Sequence, residues 1–159
     1  MEDFMETGIV GLLAPQLKNV RWIDENGEGR SPLTLDELGH GIRILYFFQD
    51  WCPGCHTHGF PTFVKLVDRF HGKGVGFAAI QTVFEGSDVN TFDRLRANQL
   101  RYRLRIPFGY AGAVSSDTVP NIMEAYRSGG TPWFVVIEPD ARVVYNGFQI
   151  NVESFIQAQ

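Results

Sequence analysis

An apolar run, Ile42, Ile44, Leu45, Tyr46, Phe47 and Phe48, ends just before Trp51-Cys52-Pro53-Gly54-Cys55, and a helical pattern begins at once beyond it. The run is dense in aromatic and β-branched residues, which predicts a buried strand. Past Cys55, Phe60, Phe63, Val64, Val67 and Phe70 recur at spacings of three and four, the signature of a helix with one apolar face. A strand, a tight turn and a helix therefore place Cys52 at a helix N-terminus. Unpaired N–H groups and the helix dipole stabilise an anion there, and the thiolate is the reactive form of cysteine. Cys55, one turn on, is placed to attack a disulfide formed at Cys52. The spacing points to dithiol–disulfide exchange.

Other chemistries use the same letters. Cys52 and Cys55 are the only cysteines of the chain, but a structural disulfide between them closes too short a loop to gain much stability. Cys52-Pro53-Gly54-Cys55-His56 matches the C-x-x-C-H pattern of covalent haem attachment; no export signal or convincing second axial ligand accompanies it. Cys52, Cys55, His56 and His58 offer zinc two thiolates and two imidazoles. Zinc sites usually draw their second ligand pair from a distant segment, whereas these four lie within seven residues. The expectation is no cofactor and no metal.

A chain of 159 residues is long enough for one well-packed domain, taken here as residues 1–159. Its net charge of −4 argues against nucleic acid as a partner. No apolar stretch reaches the length of a membrane span, and no repeat or linker divides the sequence. Met1-Glu2-Asp3-Phe4 is acidic where a secretion signal is basic. A cytoplasmic location is expected if Met1 is the native start, and a periplasmic or extracytoplasmic one if a signal has been removed.

Residues 1–19 read as irregular with a short helical start. Residues 20–23 and 31–35 read as a hairpin turning at Asn26-Gly27, and Thr34 with Glu37 as a capping box on a short helix to Gly39. The strand is expected over 42–48 and the helix over 53–71, kinked at Pro61 and ended by Gly72. A second buried strand follows at 75–82, then a helix from Ser87 or Asp88 to Asn98. Arg101 to Ile106 alternates charged with apolar side chains and reads as a half-buried strand end or edge. The arginines at 94, 96, 101, 103 and 105 read as a solvated face. A short helix at 119–126, strands at 133–137 and 142–146 and a closing helix at 151–158 complete an α/β chain with a mixed sheet.

With these elements the chain resembles the thioredoxin-fold superfamily, most closely the TlpA/ResA-like thioredoxins and related redoxin domains. The likeness rests on the strand–Trp51-Cys52-Pro53-Gly54-Cys55–helix unit and on Gly129-Gly130-Thr131-Pro132 before the strand 133–137. It rests also on the N-terminal hairpin and the segment inserted between the strand 75–82 and Pro132. It covers nearly the whole chain. It implies a thioredoxin-like three-layer sandwich with a central mixed sheet, an N-terminal β-hairpin extension and an inserted helix/strand segment. It also implies a cis peptide at Pro132 facing the cysteine pair. Thr131 would then offer its backbone to a substrate chain as an added strand. Trp51, Pro53 and Trp133 would line the same groove.

The chain departs from the family at two points. Tyr46 stands where many thioredoxins carry a buried carboxylate, six residues before the first cysteine. Glu85, at the end of the neighbouring strand, is the candidate replacement, with Asp50 the other nearby acid. Pro61 follows Cys55 by six residues where five is common, so the first turns of the helix should hold a one-residue irregularity absorbed at Gly59. His56 and His58 follow the motif, where an imidazolium would favour a thiolate on Cys52.

The resulting expectation is a thiol–disulfide oxidoreductase with Cys52 as nucleophile, Cys55 as resolving thiol and Pro132 and Glu85 in support. Its partners would be a protein or small-molecule disulfide and a reductase or other dithiol donor. The uncharged Pro53-Gly54 pair predicts a reducing or intermediate couple. The rivals are a peroxiredoxin-like peroxidase and a metal-binding Cys/His protein. For the peroxidase, Gln49 and Leu45 stand where the peroxidatic pattern has threonine and proline.

Overall fold

The computed structural model describes residues 7–113 and 118–159. Seven strands form one mixed sheet in the order β2-β1-β5-β4-β3-β6-β7. These are β1 (Arg21–Ile23), β2 (Gly29–Arg30), β3 (Arg43–Phe48), β4 (Gly76–Val83), β5 (Phe108–Gly112), β6 (Trp133–Ile137) and β7 (Val143–Gly147). β3, β4 and β5 run parallel, while β6, β7 and the β1–β2 hairpin run antiparallel to their neighbours. The helices are α1 (Phe60–Phe70), α2 (Arg94–Arg101), α3 (Asn121–Tyr126) and α4 (Val152–Gln157). None is long and apolar enough to cross a membrane, among the described residues.

All six residues of β3 are buried, because the strand is covered on both faces. Its period of two sends Leu45 and Phe47 to one face. There they meet Ile9, Leu35, Ile122, Tyr126 and Trp133. Ile44, Tyr46 and Phe48 go to the other face, against Phe60, Phe63, Leu66 and Leu95. Helices on both sides of the sheet give the three-layer sandwich that the resemblance implies.

The register decides where the ends of the strands meet. Phe48 pairs with Gln81 on the parallel β4, and Phe47 with Trp133 on the antiparallel β6. The C-terminal ends of β3 and β4 and the start of β6 therefore share one edge of the sheet. That edge carries Trp51-Cys52-Pro53-Gly54-Cys55, the loop after Val83, and Thr131-Pro132.

Several boundaries differ from the sequence reading. The hairpin returns through Gly29–Arg30 rather than 31–35, since Asp24 Oδ1 accepts from the N–H groups of Asn26 and Glu28 and tightens the turn. The Thr34–Glu37 capping box is present, on a 3₁₀ turn, Leu35–Leu38. α2 begins at Arg94, not at Ser87 or Asp88: Gly86 takes a left-handed φ of 62°, and Asn90 Nδ2 ties up the Glu85 and Gly86 carbonyls. Arg101 to Ile106 is not a strand. Arg101 closes α2, Arg103 turns the chain at φ 54°, and Leu104 and Ile106 are buried without a ladder. The strand in this region is β5, which period alone did not reveal because Gly109 and Gly112 interrupt it.

Gly76 opens β4 against the 3₁₀ turn, where a Cβ would lie 2.0 Å from the Leu38 carbonyl oxygen. Backbone cannot yield there as a side chain would. Gly76→Ala is expected to destabilise the fold by about 2 kcal/mol, read as a lower urea midpoint at unchanged m.

Candidate active site

The first turns beyond Gly54 are not α-helical. Cys55–Gly59 form a π turn in which the Phe60 N–H donates to the Cys55 carbonyl, five residues back. Pro61 has no N–H to continue an α ladder, so the extra residue is taken up before it and α1 starts at Phe60. The one-residue irregularity expected at Gly59 is this turn.

Tyr46 supports the turn from below. Its ring is fully buried among Phe48, Phe60, Phe63 and Phe134, with centroids 4.9–5.9 Å away, and its hydroxyl donates to the Cys55 carbonyl at 2.9 Å. Burial, above all, holds the phenol proton on well beyond the ordinary range. Tyr46 is thus a donor and not a substitute for a carboxylate base. A Cβ on Gly59 would sit 2.1 Å from the Tyr46 hydroxyl and 2.9 Å from Pro132 Cβ.

The two thiols occupy unlike places. Cys52 is partly exposed and Cys55 is fully buried. The Cys55 N–H donates to Cys52 Sγ at 3.2 Å, so charge arriving on that sulfur meets a donor. Across the groove, the Thr131 carbonyl lies 3.7 Å from Cys52 Sγ. The Thr131–Pro132 peptide is cis, and Pro132 packs between Gly54 and Gly59. Burial first, then the hydrogen bond with Cys52, pushes the Cys55 thiol up from about 9 to about 12.

Buried amides hold the loop that leads to Cys52. Gln49 Oε1 accepts from the N–H groups of Phe84 and Glu85 at 3.2 and 3.4 Å. Gln81 Oε1 accepts from Asp50 N–H at 2.8 Å, and Asn90 Oδ1 from Trp51 N–H at 3.0 Å. These three side chains are at most 1% exposed. Asp50 adds an ion pair with Arg94 (2.9 Å) and accepts from Asn98 Nδ2 at 2.8 Å. Arg94 accordingly leaves the solvated face expected of the arginines.

His56 joins this network rather than the sulfur. Nε2 faces the Asp50 carbonyl and Nδ1 the Tyr102 hydroxyl, each at 2.5 Å. A carbonyl only accepts, so Nε2 carries a proton and donates to Asp50, while Nδ1 shares a hydrogen bond with the Tyr102 hydroxyl. His58 is exposed.

Two expected site residues lie elsewhere than foreseen. Glu85 is exposed, and only its backbone enters the network, through Gln49 and Asn90. It does not replace the buried acid, because the chain turns outward at Gly86. Trp133 is 3% exposed and packs beneath Phe148, which is 50% exposed, with ring centroids 5.0 Å apart. The aromatic surface on that side of the groove is therefore Phe148. Trp51, 49% exposed, and the exposed Pro53 do lie open at the mouth. Among the described residues, no three side chains of His, Cys, Asp or Glu cluster as a metal site would need.

Among solved structures, that of a thioredoxin-like superfamily protein is 28% identical, covers 93% of each chain and superimposes with a TM-score of 0.79. The chain belongs to the thioredoxin-fold superfamily. A thiol-disulfide isomerase from Corynebacterium glutamicum matches this thioredoxin fold at 24% identity and TM-score 0.76, over 91% of this chain and 93% of its own. The thioredoxin domain of a thiol-disulfide oxidoreductase from Bacteroides vulgatus does so at 16% and 0.69, over 94% and 96%. No protein-family model and no curated protein matches the sequence.

Two outcomes test this thioredoxin-fold site. Gly59→Ala should lower stability by about 2–3 kcal/mol, and adding Tyr46→Phe, which removes the clashing oxygen, should make the double variant less unstable than the sum of the singles in urea denaturation. The second concerns pH. The folded value of Cys55 lies above its unfolded value, so its contribution to stability is complete below about pH 9 and is lost as pH rises towards about 12. The urea midpoint of Cys55→Ala should fall less steeply over that window than that of the native protein, both measured under reducing conditions.

Proposed function

We propose that this protein is a thiol–disulfide oxidoreductase in which Cys52 attacks and Cys55 resolves. The observation that carries the reading is the asymmetry of the pair. Cys52 lies partly open beside the Thr131 backbone with a donor on its sulfur, while Cys55 is buried one turn behind it. The thiol-disulfide isomerase and oxidoreductase among the structural neighbours support it.

The chemistry follows from the positions. The Cys52 thiolate attacks one sulfur of a substrate disulfide; that bond breaks and the other substrate sulfur leaves as a thiolate, which takes a proton. A mixed disulfide now joins Cys52 to the substrate. Cys55 loses its proton to solvent and attacks Cys52 Sγ, the bond to the substrate breaks, and a Cys52–Cys55 disulfide forms. The substrate has gained two electrons and two protons. A reductase or other dithiol returns them to the pair. Burial keeps Cys55 protonated and out of competition while Cys52 meets substrate. An extended substrate lies along Thr131, with Trp51 and Pro53 on one side and Phe148 on the other. The β1–β2 hairpin and the segment between β4 and Pro132 accord with a TlpA-like branch.

Anaerobic titration against defined thiol–disulfide buffers, with thiol trapping, tests the reading. One two-electron transition is expected, closer to about −270 mV than to about −120 mV. Cys55→Ser should accumulate a mixed disulfide and Cys52→Ser should exchange nothing. A pair that does not titrate would overturn the proposal.

A further inference from the structure

Beside Pro132, on the side away from Trp51, a groove of about 310 Å³ runs along the start of α1. Phe134, Phe148 and Ile150 form its apolar floor and far wall, and His58, Thr62 and Lys65 its near wall. Thr62 and Lys65, three apart on α1, share one face of the helix, and His58 lines the groove from the π turn before them. The groove approaches the cysteine motif at its Gly59 end, where Pro132 lies between Gly59 and Gly54. Its volume suits one or two side chains of a bound peptide rather than a large cofactor.

The groove's charge is the unexpected part. The chain carries −4 overall, yet no carboxylate lines this groove, while Lys65 and His58 do. Neither has an ion-pair partner among the described residues. Lys65 is exposed at the rim, where its ammonium stays in water and its stem can lie along the apolar wall. A cation with no internal partner, beside an apolar floor and about 9 Å along the helix from Gly59, is complementary to a substrate segment that brings a carboxylate and an apolar neighbour together.

Resting on the oxidoreductase reading, we propose that this groove is a specificity subsite, which selects peptide disulfides carrying a carboxylate side chain a few residues from the reacting cysteine. Lys65 meets the carboxylate and Phe148 covers the apolar neighbour. The chemistry of exchange is unchanged; the subsite acts on which disulfide is presented to Cys52. Interactions of this kind act through encounter and binding, and are screened by salt.

The test compares two synthetic peptide disulfides, identical except that glutamates stand at the third and fourth residues on each side of the cysteine in one and lysines in the other, with 2-hydroxyethyl disulfide as a small neutral substrate. The native protein is expected to show kcat/KM about three- to tenfold higher for the glutamate peptide at low salt, with the ratio shrinking towards one at high salt. In Lys65→Glu the preference should invert. Equal rates for the two peptides, or a ratio untouched by Lys65→Glu, overturn the subsite while leaving the oxidoreductase reading in place. Failure to reduce any of the three disulfides overturns the underlying reading, and the subsite with it.

Discussion

The hydroxyl of Tyr46 lies at the end of a fully buried side chain and needs an acceptor there, since a buried unpaired hydroxyl costs about 1–3 kcal/mol. It takes the Cys55 carbonyl, and in doing so ties the central strand to the first turn beyond the motif. The close approach requires Gly59, whose missing Cβ leaves room for both the hydroxyl and Pro132. Pro61 makes the same turn a π turn by withholding an N–H. Five residues thus constrain one another around a single hydrogen bond, and the height of Cys55 above the sheet follows from it.

The other half of the motif is held from the neighbouring strand. Gln49, Gln81 and Asn90 spend their amide groups on backbone N–H groups of residues 50, 51, 84 and 85. A loop at a sheet edge has no ladder partners, and buried amides supply them. His56 adds a cross-brace from the π turn to Asp50 and Tyr102. The rigid surroundings leave Cys52 as the part of the site that is open both to solvent and to the Thr131 backbone, which is where exchange with an incoming disulfide would occur.

Much of this was legible from local pattern. The unbroken apolar run predicted β3 because a strand covered on both faces carries no alternation. The recurrence of phenylalanines predicted α1, and the late position of Pro61 predicted an irregularity at Gly59. Where the pattern misled, a side chain spoke for a different environment. Ser87 and Asp88 look like helix caps, but Asn90 captures the carbonyls of that turn first. Arg101 to Ile106 alternates like a strand because Leu104 and Ile106 reach the core from a turn, not because a neighbour pairs with it. Glu85 was a reasonable buried acid on position along the chain, and Trp133 a reasonable groove wall; neither reading could anticipate that Gly86 turns the first outward or that Phe148 covers the second.

The sequence by itself determined the spacing of the two cysteines, the strand and helix that carry them, and the place of Pro132 before β6. These depend on short-range spacing, which a chain writes directly. Only the tertiary structure decided which residues stand around the sulfurs. The Thr131 carbonyl at Cys52, the amide network at the ends of β3 and β4 and the groove between α1 and Phe148 all join segments far apart in the chain. They meet because β3 runs parallel to β4 and antiparallel to β6 in one register, and strand register is a property of the packed core, not of any local run of residues.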